Sequence, residues 1–149
     1  MIILDASILI AHLKSRDSHH TRATDILLNS CHDEFACTAV TRAEVLVGAS
    51  RAGRGEHARK ALAELQVLTL GLADGAAWEL AQLRVRTGLK LPDCCVLHTA
   101  RIQSPAQIAT FDVRLATGAA ALVIAPRRIS TRTSTASVES DSGIRLGGA

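Results

Sequence analysis

Short apolar runs alternate with amphipathic segments along the chain from residue 2 to about residue 125. Continuous runs of aliphatic and β-branched residues are typical of strands buried on both faces. They predict five strands, at Ile2–Ala6, Glu34–Ala39, Val67–Leu70, Ile108–Asp112 and Ala121–Ala125. Apolar residues at helical spacing predict six helices and a short helical turn, at Ser7–Lys14, Ser18–Ser30, Thr41–Ser50, Gly53–Leu65, Asp74–Arg86, Pro92–Ile102 and Val113–Thr117. This alternation predicts an α/β fold, with a mainly parallel five-stranded sheet covered by helices on both faces.

Local signals refine three of these helices. Ser7 can cap the first helix, and Pro92 stands where a helix begins without needing its N–H. The helix at Asp74–Arg86 is expected to stop at Gly88. Its predicted buried residues are Ala77, Trp78, Leu80 and Ala81.

Composition divides the 149 residues into a globular domain and a tail. Hydrophobic residues make up 48% and charged residues 21%, which is an ordinary balance for a globular protein. From Ser130 onward the chain is rich in Ser, Thr and Gly and has no apolar periodicity. We therefore predict a domain at residues 1–129 and a disordered tail at residues 130–149, unless a partner orders that tail.

Charge and cysteine content exclude several classes of protein. The net charge of +3 is compatible with a polyanionic partner but does not demonstrate one. With aromatics at only 2%, a module that stacks nucleic-acid bases on an aromatic platform is disfavoured. The four cysteines have neither CxxC nor zinc-ligand spacing, and no run approaches the ~18 apolar residues of a membrane span. We expect a cytoplasmic protein with reduced thiols and no membrane association.

Four carboxylates occupy related places in this predicted fold. Asp5 and Asp112 end buried strands, whereas Glu44 and Asp93 lie in the first turns of helices. In an open parallel sheet, the carboxyl ends of the strands and the starts of the following helices converge on one crevice. Carboxylates gathered there resist ionisation unless a cation joins them. Oxygen ligands without His or Cys favour Mg²⁺ or Mn²⁺.

Each of these acids also has a structural interpretation. Glu44 fits a capping box with Thr41, and Asp93 suits the positive end of a helix dipole. Asp112 can cap the helical turn that follows it. Asp5 is the hardest to explain structurally, because an acid that ends an apolar strand loses solvation. The four together favour a functional site more strongly than any one of them.

The segments that carry these acids resemble the signature elements of PIN-domain ribonucleases. They are Ile2–Ala11, Thr41–Val45, Leu89–Asp93 running on to His98–Ala100, and Ala109–Asp112. Their order and spacing are similar to those of the small PIN proteins that serve as toxins in VapBC toxin–antitoxin pairs. The resemblance covers about residues 1–128. It implies the PIN-like form of the predicted fold, with three α/β/α layers.

The resemblance implies a metal-dependent endoribonuclease that hydrolyses RNA phosphodiester bonds. Asp5, Glu44 and Asp93 would be the principal ligands of Mg²⁺ or Mn²⁺, and Asp112 would bind directly or through water. Bound metal would activate a water and stabilise the leaving oxygen. Ser7 would orient Asp5 or a metal-bound water, although a role as a helix cap explains it equally well. Many relatives have another acid or Asn after the fourth element, where this chain has Val113–Leu115, so the number of metal ions stays open.

The same resemblance implies three partners: an RNA substrate, a cognate antitoxin protein and a second copy of the chain. Exposed helices of the first half are the expected dimer surface. The alternative is a non-catalytic PIN-like module that binds RNA or protein. A haloacid-dehalogenase-like phosphatase is disfavoured, because Ser7 stands where that chemistry needs a second Asp.

Several basic residues and one histidine have weaker claims to a role. One basic set could contact an RNA backbone, although a solvated helix face is the favoured explanation; it comprises Arg51, Arg54, Arg59 and Lys60. Arg84 and Arg86 could neutralise phosphate near Asp93. His98 is expected to pack in the core, as are Cys94 and Cys95.

Overall fold

A computed structural model describes residues 1–122, which form four strands and seven helices. The strands are β1 (Ile2–Leu4), β2 (Phe35–Thr38), β3 (Leu68–Leu70) and β4 (Gln107–Ala109). The helices are α1 (Ala6–Leu13), α2 (His20–Leu28), α3 (Ala39–Arg51), α4 (Gly55–Glu64), α5 (Ala76–Thr87), α6 (Leu91–Ile102) and α7 (Val113–Ala121). The predicted α/β class and the predicted alternation of strands and helices are confirmed.

The four strands form one parallel sheet in the order β3-β2-β1-β4. Ile2 pairs with Phe35 on one side of β1 and with Gln107 on the other. β1 is thus an interior strand, even though it comes first in the chain. All four carboxyl ends lie at the same edge of the sheet, as the site hypothesis requires.

The first two residues of the predicted fifth strand, Ala121–Ala125, do not form a strand in the structure. Ala121 is the last residue of α7, and Leu122 is the residue that ends this helix. Residues 123–125 lie outside the described residues, as do the tail at 130–149 and its predicted boundary. The short turn predicted at Val113–Thr117 is instead the first part of a nine-residue helix.

Two aliphatic cores cover the two faces of the sheet. Successive residues of a strand point to opposite faces, so Ile2 and Leu4 belong to one core while Ile3 belongs to the other. The first core is completed by α1 to α4, with Leu9 and Leu62 fully buried. The second is completed by α5 to α7 and contains Leu83, Leu97 and Leu115. This arrangement is the predicted three-layer α/β/α architecture.

Helix α6 is buried along most of its length. Every residue from Cys94 to Ala100 is buried, including His98. The core positions predicted for both cysteines and for this histidine are confirmed. The helix also contacts β1, β2 and β4 directly, so the sheet fixes its position.

The predicted buried face of α5 was confirmed at Leu80 and wrong at the other three positions. The helix buries Ala76, Leu80 and Leu83, whereas Trp78 is 72% exposed and both Ala77 and Ala81 are exposed. Positions 76, 80 and 83 share one side of a helix, and this side faces α6. The predicted end is confirmed, because Gly88 takes a left-handed φ of 67°. Within residues 1–122, no helix has the length and hydrophobicity to cross a membrane.

Candidate active site

Asp5 connects β1 to α1. The strand predicted at Ile2–Ala6 ends at Leu4 in the structure. Asp5 follows it and caps α1, because its Oδ2 accepts a 3.3 Å hydrogen bond from the Ser7 N–H. The prediction that Ser7 caps this helix was therefore wrong. The helix begins directly after the strand, which places the capping position two residues earlier. Asp5 is only 8% exposed.

Two hydroxyl groups bind the same oxygen of Asp5. Ser7 Oγ donates to Oδ2 at 2.6 Å and Thr110 Oγ1 donates to it at 2.8 Å. Both hydroxyls are themselves held, because the Phe111 N–H donates to Ser7 Oγ at 3.0 Å and the Asp112 N–H donates to Thr110 Oγ1 at 2.9 Å. No described residue donates to Asp5 Oδ1, so this oxygen is free for a ligand.

Thr110 was missed by the sequence reasoning. It directly follows the end of β4, and it is buried at 8% exposure. The available signal was a hydroxyl residue two positions before Asp112, which mirrors Ser7 two positions after Asp5. A strand-end hydroxyl that neighbours an acid is a natural partner for a buried carboxylate.

Glu44 has no capping role. Helix α3 begins at Ala39, and Thr38 caps it by accepting a 2.9 Å hydrogen bond from the Thr41 N–H. Thr41 is thus the third residue of the helix, and Glu44 lies in the second turn rather than the first. The predicted capping box of Thr41 and Glu44 was wrong, because the last residue of β2 already supplies the cap. The carboxylate of Glu44 makes no hydrogen bond or ion pair with any described residue.

Asp93 and Asp112 do have the predicted structural roles, but each uses one oxygen for it. Asp93 is the third residue of α6, where its Oδ2 accepts from the Lys90 N–H at 3.3 Å. Asp112 caps α7, with its Oδ1 accepting from the N–H groups of Arg114 and Leu115 at 2.7 and 3.2 Å. The second oxygen of each carboxylate has no partner among the described residues.

Glu44 and Asp93 lie close enough to other acids of the site for the ionisation of these two carboxyls to be affected. Burial raises the pKa of Glu44, and the charges of Asp5 and Asp93 raise it further. Burial also raises the pKa of Asp93, with added repulsion from Asp5 and Asp112. Lys90 opposes these effects at both carboxyls. The fold thus brings together all four predicted site residues, which come from positions 5 to 112.

This donor set fits a hard divalent cation. Two of the carboxyls resist ionisation, and a cation would relieve that repulsion. Within residues 1–122, no three His, Cys, Asp or Glu side chains are placed to hold one ion together. Mg²⁺ does not need such a cage, since it usually keeps several waters and binds one or two carboxylates with substrate phosphate.

Three of the six basic candidates have structural partners. Arg59 pairs with Glu56 at 2.9 Å, and Lys60 pairs with Glu64 at 3.8 Å, both along the exposed face of α4. Arg84 donates to the Leu89 carbonyl at 2.6 Å and so supports the segment before α6. These contacts agree with the solvated-face explanation for α4.

The PIN domain family model matches residues 2–120. The chain belongs to the PIN domain family. This match confirms the resemblance that the four acidic segments indicated. No curated protein matches the sequence.

Solved structures extend this comparison. A toxin–antitoxin complex from Klebsiella pneumoniae is 25% identical, with a TM-score of 0.67 over 79% of this chain and 92% of that one. VapC20 of Mycobacterium tuberculosis, described as a toxin that cleaves the sarcin–ricin loop, has the same TM-score at 17% identity, over 78% and 94% of the two chains. FitAB bound to a DNA fragment has a TM-score of 0.63 at 20% identity, over 80% and 91%. The last two show likeness of fold.

Proposed function

We propose that this protein is a metal-dependent endoribonuclease and the toxin of a type II toxin–antitoxin pair. The observation that carries the proposal is the grouping of Asp5, Glu44, Asp93 and Asp112, each with an uncommitted oxygen, at the carboxyl edge of the sheet. Membership of the PIN family and the likeness to a toxin–antitoxin complex support it.

PIN domains of the VapC type generally use a divalent metal, and we propose that Mg²⁺ or Mn²⁺ binds among these four carboxylates, directly to some of them and through water to the others. Such an ion supplies a Lewis acid and a bound water of lowered pKa. Ser7 and Thr110 fix Oδ2 of Asp5, which leaves Oδ1 as the oxygen that binds. Lys90 adds a positive charge beside Glu44 and Asp93, where an RNA phosphate would approach.

Cleavage of RNA by the purified protein tests this proposal. We expect cleavage with Mg²⁺ or Mn²⁺ and none with EDTA. Asp93→Asn should lose activity and still fold, because it removes the charge and keeps the shape. Asp74→Asn is the matched control, since Asp74 is an exposed acid outside the site. Full activity in Asp93→Asn, or in the presence of EDTA, would contradict the proposal.

The second candidate is a non-catalytic PIN-like module that binds RNA or protein. The lack of a three-ligand cage within residues 1–122 favours it. A titration with Mg²⁺ separates the two, because a ligand that binds only the folded state raises the melting temperature. Stabilisation that disappears in Asp93→Asn supports the nuclease. RNA binding with neither stabilisation nor cleavage supports the module.

The proposal includes an antitoxin and a homodimer as partners. A toxin that cleaves RNA acts among cellular RNA, so the proposed location is the cytoplasm. Val47 on α3 is an exposed apolar side chain in the first half, where we expect the dimer surface. Trp78 and Val85 on α5 are more exposed, at 72% and 81%. Light scattering of Val47→Glu and Trp78→Glu would show which of the two surfaces mediates dimerisation.

A further inference from the structure

A cluster of aromatic and cationic side chains adjoins the candidate active site. Phe111 lies between Thr110 and Asp112, and its N–H donates to Ser7 Oγ at 3.0 Å. The ring of His19 stacks on the ring of Phe111, with centroids 4.7 Å apart and an interplanar angle of 26°. The guanidinium carbon of Arg22 lies 5.5 Å from the Phe111 centroid, within the range of a cation–π contact.

Phe111 contacts these two side chains through its ring, so the contacts leave the guanidinium and imidazole nitrogens unpaired. Arg22 and His19 are both exposed. The side chain of Arg22 makes no ion pair or hydrogen bond with any residue of 1–122. The backbone N–H of His19 donates to Asp17 Oδ1 at 2.9 Å, whereas its ring stacks on Phe111 and makes no hydrogen bond with any described residue. The cluster thus places a planar cation and an imidazole on the segment that joins Thr110 to Asp112.

The loop between α1 and α2, which includes His19, also borders a basic cleft. An open cleft of about 550 Å³ is lined by Lys14, Ser15, Arg16, Asp17 and Arg54. Three of these residues are cationic and one is acidic. Asp17 connects the cleft to the cluster through its hydrogen bond to His19. Arg54 belongs to the basic set of the sequence analysis, but within residues 1–122 it has no ion pair of the kind that occupies Arg59 and Lys60.

We propose that this surface binds the single-stranded RNA segment next to the cleaved phosphate, an inference that rests on the proposed nuclease function. RNA must approach four carboxylates that repel its phosphates, so fixed cations are needed beside them. An unpaired base can stack on the His19 imidazole or the Arg22 guanidinium, both of which are planar. Lys14, Arg16 and Arg54 would contact the phosphates that follow. Phe111 is then a positioning residue for His19 and Arg22.

Binding of a fluorescent single-stranded RNA in EDTA, measured over a range of salt concentrations, tests this inference without cleavage. Arg22→Gln should weaken binding about five-fold or more, in line with the loss of a stacking contact. Arg22→Lys keeps the positive charge but replaces the planar guanidinium with an ammonium group. It should therefore show the salt dependence of the wild type but recover only part of its RNA affinity. The triple variant Lys14→Gln, Arg16→Gln and Arg54→Gln should reduce the slope of log K against log salt by about 2, at about 0.7 for each phosphate contact.

The matched control is the variant Arg101→Gln, which removes an exposed arginine outside this surface. It should change RNA affinity less than two-fold, and melting temperatures should show that every variant folds. If the wild type binds and cleaves RNA while Arg22→Gln and the triple variant behave like the control, the inference is wrong and the proposed function stands. If the wild type binds RNA through these residues but never cleaves it, the surface is an RNA-binding site, while the nuclease proposal and the placement beside a cleaved phosphate both fall. A wild type that binds no RNA overturns both.

Discussion

Thr110 Oγ1 lies 2.8 Å from Asp5 Oδ2, and this hydrogen bond joins residues that are 105 positions apart in the chain. The same hydroxyl accepts the N–H of Asp112 at 2.9 Å. One buried side chain therefore sets the positions of two of the four candidate metal ligands. It also ties the carboxyl end of β4 to that of β1, beyond the backbone pairing of the two strands.

Replacing this hydroxyl should impair both the fold and the site. Thr110→Val keeps the shape, but it removes a donor from Asp5 and leaves the Asp112 N–H without its acceptor. We expect the free energy of unfolding to fall by about 1–3 kcal/mol. RNA cleavage should fall further than the loss of folded protein explains. Denaturant unfolding and a cleavage assay on the same sample measure the two effects.

Thr117→Val is the control for Thr110→Val. Thr117 is exposed and its hydroxyl donates within α7 to the Val113 carbonyl at 2.8 Å. Stability should therefore change by less than about 0.5 kcal/mol. Thr110→Ser should restore most of the activity. Equal stability and activity in Thr110→Val and the wild type would show that the contact is incidental.

Asp112 allows capping and metal binding to be separated. Asn keeps an oxygen that can accept from Arg114 and Leu115, whereas Ala does not. We expect Asp112→Asn to melt like the wild type, while Asp112→Ala loses about 0.5–2 kcal/mol of stability. Both variants should lose metal-dependent cleavage. If Asp112→Asn cleaves RNA normally, Asp112 is a helix cap only.

Glu44 should destabilise the metal-free protein at neutral pH. Burial and the neighbouring acids raise the pKa of this carboxyl above its ordinary value of 4.5. Between the ordinary and raised values, the folded state binds more protons than the unfolded state, so the contribution of Glu44 to stability falls as pH rises through that window. In EDTA at about pH 7, Glu44→Gln should therefore melt at a higher temperature than the wild type.

Thermal melts from about pH 4.5 to pH 7.5 check this prediction. The advantage of Glu44→Gln should shrink toward the acidic end, and added Mg²⁺ should favour the wild type. Glu64→Gln is the control, because Glu64 is exposed on α4 and away from the four acids. A Glu44→Gln variant that melts below the wild type in EDTA at neutral pH would show that the carboxylate charge is already compensated.

The order of elements was predictable, whereas helix starts and the orientation of one helix were not. Short apolar runs identify β1, β2 and β4 because these strands are buried on both faces. Nothing local decides whether Thr38 or Thr41 caps α3, since both are hydroxyl residues near the end of β2. The buried face of α5 depends on where α6 packs, and in an Ala-rich helix both faces look acceptable.

The candidate site was likewise predictable only in part. The four acids were identified because parallel strands bring their carboxyl ends together, which depends only on the order of elements. The hydrogen bonds of Thr110 and the stacking of His19 on Phe111 could not be derived in this way. They depend on side-chain contacts between residues that are far apart in the sequence, and no local pattern encodes such contacts.

Gly118 in α7 is packed closely against the segment before α6. A Cβ at this position would lie 2.8 Å from Cδ1 of Leu89, which is 3% exposed. We expect Gly118→Ala to lower the free energy of unfolding by about 1 kcal/mol, because overpacking outweighs the gain in helix propensity. Gly48→Ala is the matched case, since Gly48 lies in α3 and a Cβ added there would meet, apart from its chain neighbours and the backbone of its own helix, no heavy atom of residues 1–122 within 4 Å.

Chemical denaturation compares the two glycine variants directly. Gly48→Ala should raise the free energy of unfolding by about 0.5–1 kcal/mol. Stabilisation of the same size in Gly118→Ala would show that Leu89 moves aside at no cost. Because Leu89 directly precedes Lys90 and α6, the overpacked variant should also cleave RNA more slowly.

The pairing of β1 with β4 has a consequence for synthesis of the protein on the ribosome. The first strand must wait for residues 107–109 before its second edge is covered. Translation adds about 5–20 residues per second, so roughly 5–20 s separate the synthesis of Asp5 from that of Asp112. Throughout that interval the nascent chain lacks Thr110 and the last carboxylate. The nuclease activity that we propose would thus arise only after almost the whole domain has been made, which protects the translating ribosome from its own product.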